Sequence, residues 1–145
     1  MRIAIGSDSA AFELKEAIKE KLSSEGYEML DLGCSIEEPA DYPEAGHAVG
    51  RAVASGEAGR GIAICGSGLG ISIACNKVPG IRAGLCRTVE DAETIKGNLN
   101  ANVLCMGARV TCQETAFEIV EKWLNTEFRG GANKTKSDRI ENIWT

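Results

Sequence analysis

The sequence predicts an α/β protein: a three-layer sandwich in which a five-stranded parallel sheet carries helices on both faces. Three observations lead there. Short apolar runs alternate with stretches of helical periodicity five times along the 145 residues. The runs are apolar almost throughout, as in Gly61-Ile62-Ala63-Ile64, which is the pattern of strands covered on both sides. No internal repeat or linker interrupts the alternation, so residues 1–145 read as one domain with a core of its own.

Arg2–Ile5 is the first strand, and Gly6-Ser7-Asp8-Ser9 the turn after it. From Ala10 to Glu25 apolar residues recur at threes and fours, with Phe12, Leu14, Ala17, Ile18 and Leu22 among them, and Gly26 ends that helix. Tyr27–Leu32 is the second strand; the loop after it starts Gly33-Cys34-Ser35 and carries Glu37, Glu38 and Pro39. Asp41-Tyr42-Pro43 opens the next helix, where proline is tolerated in the first turn. Ala45, Ala48, Val49, Ala52 and Val53 form its buried stripe, and Gly56 closes it. Arg60–Cys65 is the third strand, followed by a glycine turn and a helix to about Lys77. Past the turn Val78-Pro79-Gly80 come a fourth strand, Ile81–Cys86, a helix, Val89–Lys96, and a fifth strand, Val103–Met106. A last long helix, Cys112–Asn125, buries Ala116, Ile119, Val120, Trp123 and Leu124, and the remainder from Phe128 to Thr145 is a polar tail.

Composition narrows the functional classes. The chain is 43% hydrophobic and 26% charged, ordinary for a soluble globular protein. A net charge of −5 without a long basic run argues against nucleic acid or an anionic membrane as partner. No apolar stretch approaches the roughly 20 residues that span a bilayer, and Met1–Gly6 lacks the apolar core and cleavage site of a secretory signal. The six cysteines include Cys65, Cys86 and Cys105 in apolar runs, no C-x-x-C pair occurs, and His47 is the single histidine. Reduced thiols, a cytoplasmic location and no zinc site are therefore expected.

In a parallel sheet ligands lie outside the carboxyl ends of the strands. That rule gathers Asp8 and Ser9, the turn Cys65-Gly66-Ser67-Gly68-Leu69-Gly70, Arg87 and Arg109. The turn is the chief candidate. A strand that runs through glycines into a helix start offers unpaired amides and the positive end of the helix dipole to an anion. Its spacing is neither the dinucleotide fingerprint, since Ile71 occupies the third glycine position, nor a P-loop. A thiol beside a helix start can be a thiolate at neutral pH, so Cys65 reads either as a base or as one more buried apolar cysteine. Asp8 reads as an N-cap, as a substrate ligand, or as both. Tyr42 reads as a ligand or as loop packing, and Arg109 and Lys136 as ligands or as solvated charges.

Taken in order, Gly6-Ser7-Asp8-x-Ala10, Asp41-Tyr42-Pro43, Cys65 to Gly70, Asn76-Lys77-Val78-Pro79-Gly80-Ile81-Arg82, Asn100-Ala101-Asn102 and Gly107-Ala108-Arg109 resemble the type B ribose-5-phosphate isomerases and the related galactose-6-phosphate isomerase subunits. The resemblance spans nearly the whole chain. It implies a Rossmann-like sandwich and an isomerase that interconverts aldose and ketose phosphates through an enediolate, without metal or cofactor. It implies Cys65 as the catalytic base and Ser67, where threonine is usual, as the relay between O1 and O2. By the same resemblance Gly66, Gly68, Gly70, Ile71 and Ser72 supply amides to the enediolate, Asp8 and Tyr42 hold sugar oxygens, and Arg109 binds phosphate. It further implies a homodimer or dimer of dimers in which Asn98 and Lys136, the latter on a tail from about 128 to 145, reach the neighbouring subunit's site. A paralogous partner subunit, as in galactose-6-phosphate isomerase, is the other assembly it allows.

The departures bear on substrate. Ser9 stands where most ribose-5-phosphate members have a phosphate-binding histidine, Asn98 where they have a ring-opening histidine, and Ala132 and Lys136 where they have arginines. A lysine is a point charge without the planar fork of arginine. Serine at 9 and no histidine at 98 are also similar to tetrulose-phosphate isomerases, whose four-carbon 4-phosphates close no furanose ring. Leu99-Asn100-Ala101-Asn102 matches the galactose-6-phosphate B subunit. The expected function is thus an aldose–ketose phosphate isomerase of the ribose-5-phosphate type, with four- and six-carbon substrates as alternatives. A non-catalytic sugar-phosphate-binding protein is the alternative of another class.

Overall fold

The computed structural model describes residues 1–143; Trp144 and Thr145, the end of the predicted tail, lie outside the described residues. The strands are β1 (Arg2–Ser7), β2 (Glu28–Asp31), β3 (Arg60–Cys65), β4 (Ala83–Leu85) and β5 (Val103–Gly107). The α-helices are α1 (Phe12–Ser24), α2 (Tyr42–Ala54), α3 (Leu69–Asn76), α4 (Val89–Gly97), α5 (Gln113–Asn125) and α6 (Ala132–Glu141), with a 3-10 turn over Ser9–Ala11 before α1. All strand pairs are parallel, in the order β2-β1-β3-β5-β4. The chain leaves β1 toward one edge and β3 toward the other, so the carboxyl ends of β1 and β3 flank the switch in winding where such sheets bind ligands.

Strand period decides which core each side chain joins. Ile3, Ile5, Ile62, Ile64, Leu104 and Met106 face α1, α4 and α5 in a core of large residues that also encloses Trp123. The alternate positions Ala4, Ala63, Cys65, Val103 and Cys105 face α2 and α3. They are small because α2 and α3 lie close to the sheet and to each other. A Cβ on Gly46 would stand 2.7 Å from the Cβ of Ala74, and one on Gly50 would stand 2.9 Å from Val78 Cγ2. On the other face the indole Nε1 of Trp123 donates to the Ala101 carbonyl at 3.3 Å, which satisfies its one polar atom in a fully buried place.

Several boundaries shift from expectation for local reasons. Asp8 Oδ1 accepts the Ala11 amide at 3.1 Å, and this cap folds Ser9–Ala11 into a 3-10 turn before α1. Strand β4 is shorter than Ile81–Cys86, because the Arg82 amide is taken by Asn102 Oδ1 at 2.8 Å. The polar tail contains a helix, α6, that no apolar stripe announced: Ser137 is its one buried residue. Its last turn lies on its own chain, with Glu141 Oε1 2.6 Å from Arg82 Nη1. Among the described residues no helix is long and apolar enough to cross a membrane.

Candidate active site

The turn after β3, the cradle formed by Cys65 to Gly70, is built by backbone constraints that only glycine meets at one point. Gly68 has φ +81°, a left-handed conformation, and a Cβ there would stand 2.5 Å from Leu85 Cδ1 and 2.8 Å from the carbonyl carbon of Met106. That conformation turns the chain into α3 and aims the Gly68 amide at Cys65, whose Sγ accepts it at 3.1 Å. Cys65 is 4% exposed, in the small-residue core beneath the start of α3. Ser67 Oγ accepts the Leu69 amide at 3.2 Å, so its hydrogen remains to be donated.

Neighbouring strand ends close around this turn. The Asp8 amide donates to the Ile64 carbonyl at 3.2 Å, joining the tip of β1 to the tip of β3. Ala108 and Arg109 donate their amides to the Cys65 and Gly66 carbonyls at 2.8 and 2.9 Å, carrying the tip of β5 alongside. The Arg109 guanidinium lies over Gly66: a Cβ on that glycine would meet Nη1, Cζ and Nε at 3.0, 3.1 and 3.3 Å. Arg109 is in no ion pair among the described residues. The Tyr42 ring covers Gly70 in the same way, Cε1 standing 2.7 Å from where a Cβ would be. Asp8, Tyr42, Cys65, Gly66, Ser67, Gly68, Gly70 and Arg109 are thus brought to one end of the sheet. Ile71 and Ser72 continue the first turn of α3, Ile71 with its side chain in the core and Ser72 with its hydroxyl donating to the Leu69 carbonyl at 2.8 Å.

Ser9 borders this group, next to Asp8, and the remaining candidates lie outside it. The Ser9 hydroxyl sits between the Ala40 carbonyl at 3.4 Å and the Ala40 amide at 3.3 Å, with Cys34 Sγ 3.7 Å away. Asn98 Oδ1 accepts Arg129 Nη1 at 2.6 Å, and Arg129 is in turn paired with Glu93 at 3.0 Å. Lys136 is exposed on α6, and Arg87 is exposed after β4. A cavity of about 870 Å³ lies off the approach to β4, lined by Pro79, Arg82, Leu99 and Ile140 among others, and no cradle residue lines it.

The thiols divide sharply. All six cysteines are free. Burial, together with nearby Asp91, pushes Cys86 up to about 12. A hydrogen bond with Cys75 and then burial hold Cys105 well above the ordinary thiol range. Exposed Cys112 is lowered by hydrogen bonds from the Thr115 side chain and backbone. Of the thiols in the apolar runs, Cys65 alone lies at the mouth of the cradle.

A sequence model described as ribose/galactose isomerase matches residues 3–143. The chain belongs to that family. The ribose/galactose isomerases are sugar-phosphate isomerases, and the similarity to individual members is spread over the whole length. The chain is 41% identical to the ribose-5-phosphate isomerase B of Escherichia coli (strain K12) over 142 residues, 98% of this chain and 95% of that protein. It is 39% identical to a D-erythrulose-4-phosphate isomerase of Pectobacterium atrosepticum, over 97% of this chain and 93% of that one. The solved structure of a Clostridium thermocellum ribose-5-phosphate isomerase B superposes with a TM-score of 0.96 at 47% identity, covering 99% and 97% of the two chains. Within the family's fold, two features here went unread in the sequence. Arg129 ties down Asn98, and Lys15 is buried against Asp31. The second had a signal, since Lys15 falls on the same helical stripe as Ala11, Leu14, Ile18 and Leu22.

Proposed function

We propose that this chain is a cofactor-free aldose–ketose isomerase acting on a phosphorylated sugar, with Cys65 as the base. The observation that carries the reading is the sulfur of Cys65 under the Gly68 amide, beside the first turn of α3. The Cys65 thiolate takes the proton from the carbon next to the carbonyl, and the electron pair left behind forms the enediolate. Within the turn from Gly66 to Ser72 the Gly68, Leu69 and Ser72 amides already have acceptors, so Gly70 and Ile71, in the first turn of α3, lead in meeting the negative charge that develops on oxygen, the preorganised stabilisation such a step needs. Ser67, with its hydroxyl hydrogen free, moves a proton between O1 and O2. The proton on sulfur then returns to the neighbouring carbon. Asp8 Oδ2 and the Tyr42 hydroxyl hold sugar oxygens, and Arg109 binds the phosphate.

A phosphate dianion asks for more than one cation. We therefore read the working unit as a homodimer or a dimer of dimers in which Lys136 of a second copy joins Arg109. Leu69 and Ile73, 52% and 62% exposed one turn apart on α3, are apolar surface next to the cradle that a second copy would cover.

Ribose 5-phosphate is the substrate the family similarity favours. One observation supports a second reading, a tetrose 4-phosphate. Asn98 cannot act as a ring-opening acid, and its Oδ1 is held by Arg129 at 2.6 Å. A four-carbon 4-phosphate has no furanose ring to open, so the loss is harmless for that substrate alone. The deciding experiment is a panel of aldose phosphates of four to six carbons, scored for ketose formation by the purified chain and for deuterium uptake from heavy water. Ketose formation with deuterium at the exchanged carbon is expected. Tight binding without turnover on every member would replace the isomerase reading by a binding protein, and activity only beside a paralogous subunit would overturn the homomeric unit.

A further inference from the structure

Lys15 is the one charged side chain that is buried among the described residues, at 1% exposure. Its ammonium donates to Asp31 Oδ1 and Oδ2 at 2.9 and 3.0 Å and to the Cys34 carbonyl at 2.9 Å, with Glu16 Oε1 3.1 Å away. A buried ion pair is a poor device for stability alone, since apolar residues of similar volume often do as well or better. What this one does is join three places: α1, the end of β2, and the segment that leaves β2.

That segment has few other anchors. From Gly33 to Asp41 only Cys34 is buried, and Ile36 is 81% exposed. The turn within it is local, from Ser35 to Glu38. Its far end nevertheless lies against the candidate site. The Ser9 amide donates to the Ala40 carbonyl at 3.0 Å, the Ala40 amide donates to Ser9 Oγ at 3.3 Å, and Cys34 Sγ lies 3.7 Å from that hydroxyl. Two residues past Ala40 the chain enters α2 with Tyr42, whose ring covers Gly70 of the cradle.

We infer that Lys15 is a positioning residue for substrate binding: by holding Asp31 and the Cys34 carbonyl it sets the segment 33–42 that seats Ser9 and places Tyr42 over the cradle. This rests on the isomerase reading, in which that side of the site grips the sugar while Cys65 performs the proton transfer and the first amides of α3 stabilise the charge that develops. The base stands on β3, outside the clamp. Loosening the clamp therefore weakens binding of substrate and spares the chemical step.

The test is Lys15→Met in the full chain. Asp31 stays paired with Lys19 at 2.7 Å in that variant, so no carboxylate is stranded. Misplacing a positioning contact by an ångström is enough to lose a large factor, so KM for the best aldose phosphate should rise about tenfold or more while kcat stays within about threefold. Backbone amides from Gly33 to Tyr42 should exchange faster with heavy water. Lys19→Met is the control, because Lys19 bonds Glu16 and Asp31 and not the segment; it should leave KM and the exchange pattern as in the parent. A KM for K15M equal to that of K19M, or a fall in kcat with KM unchanged, would overturn the inference. If K15M does not fold, Asp31→Asn carries the same test, since it weakens the hold on Lys15 and on the Gly33 amide, 3.0 Å from Oδ1. If the parent turns over no aldose phosphate, the isomerase reading fails by itself, and amide exchange decides the clamp: unchanged exchange in K15M overturns it.

Discussion

At the scale of single residues, the chemistry turns on where a thiol stands rather than on how many there are. Cys86 is held near 12 by burial and Asp91, and Cys105 is raised by its contact with Cys75 and by burial; neither can supply a base near neutral pH. Cys65 lies at the one strand end where amides converge, accepting the bond from Gly68. General-base catalysis contributes about 10²–10⁴ in rate, so Cys65→Ala should lower kcat by about that factor, with deuterium exchange into substrate falling in parallel and binding of sugar phosphate retained. Undiminished exchange in that variant would remove the cysteine from its role. Cys65 was legible as a candidate because it directly precedes the glycines. Asn98 was only half legible: its position marked it, but its pairing with Arg129 depends on a residue 31 places away.

At the scale of elements, the charged cluster on α1 and β2 makes a prediction about acid. Burial works to raise the Asp31 carboxyl, but hydrogen bonds from Lys19, Lys15 and the Gly33 amide outweigh it and leave Asp31 below the usual range. Glu16 is likewise lowered against burial, by bonds from Lys19 and Lys15. A carboxylate depressed in the folded state contributes stability that is present above its unfolded pKa, about 4, and is lost as pH falls through the folded value. Lys19 is raised, chiefly by its bond to Asp31, so its share is present below the unfolded value of about 10.4 and disappears only above it. The urea midpoint should accordingly be level from mildly acidic to mildly alkaline pH and decline below about pH 4, less steeply for Asp31→Asn than for the parent. Equal acid declines would show that the cluster does not set this dependence. The amphipathic helices were legible because an apolar stripe has a period. Helix α6 was not: its sequence is polar on nearly every side, and it is held by one buried serine and the Arg82–Glu141 pair.

At the scale of the whole molecule, α3 is apolar on its inner and its outer sides. Ile71, Ala74 and Cys75 are buried, whereas Leu69 and Ile73 face outward. If a second copy covers that outer side, Ile73→Lys should move the purified chain from dimer toward monomer in sedimentation and reduce turnover with it. Loss of a central apolar contact of about 2 kcal/mol weakens a dimer roughly thirtyfold. A variant that sediments as the parent does would place the interface elsewhere.

The succession of strands and helices, the placing of glycines after β3, and the thiol before them were written in the sequence, because strand alternation, helix stripes and turn residues are local and need only a few neighbours to be read. The order β2-β1-β3-β5-β4, which sets Asp8 beside the end of β3, belongs to the tertiary structure. So do the guanidinium of Arg109 across Gly66, the Tyr42 ring across Gly70 and the pairing of Lys15 with Asp31 and the Cys34 carbonyl. Each of these joins residues far apart in the chain, and only the packing of one layer against the next determines which distant groups share a space.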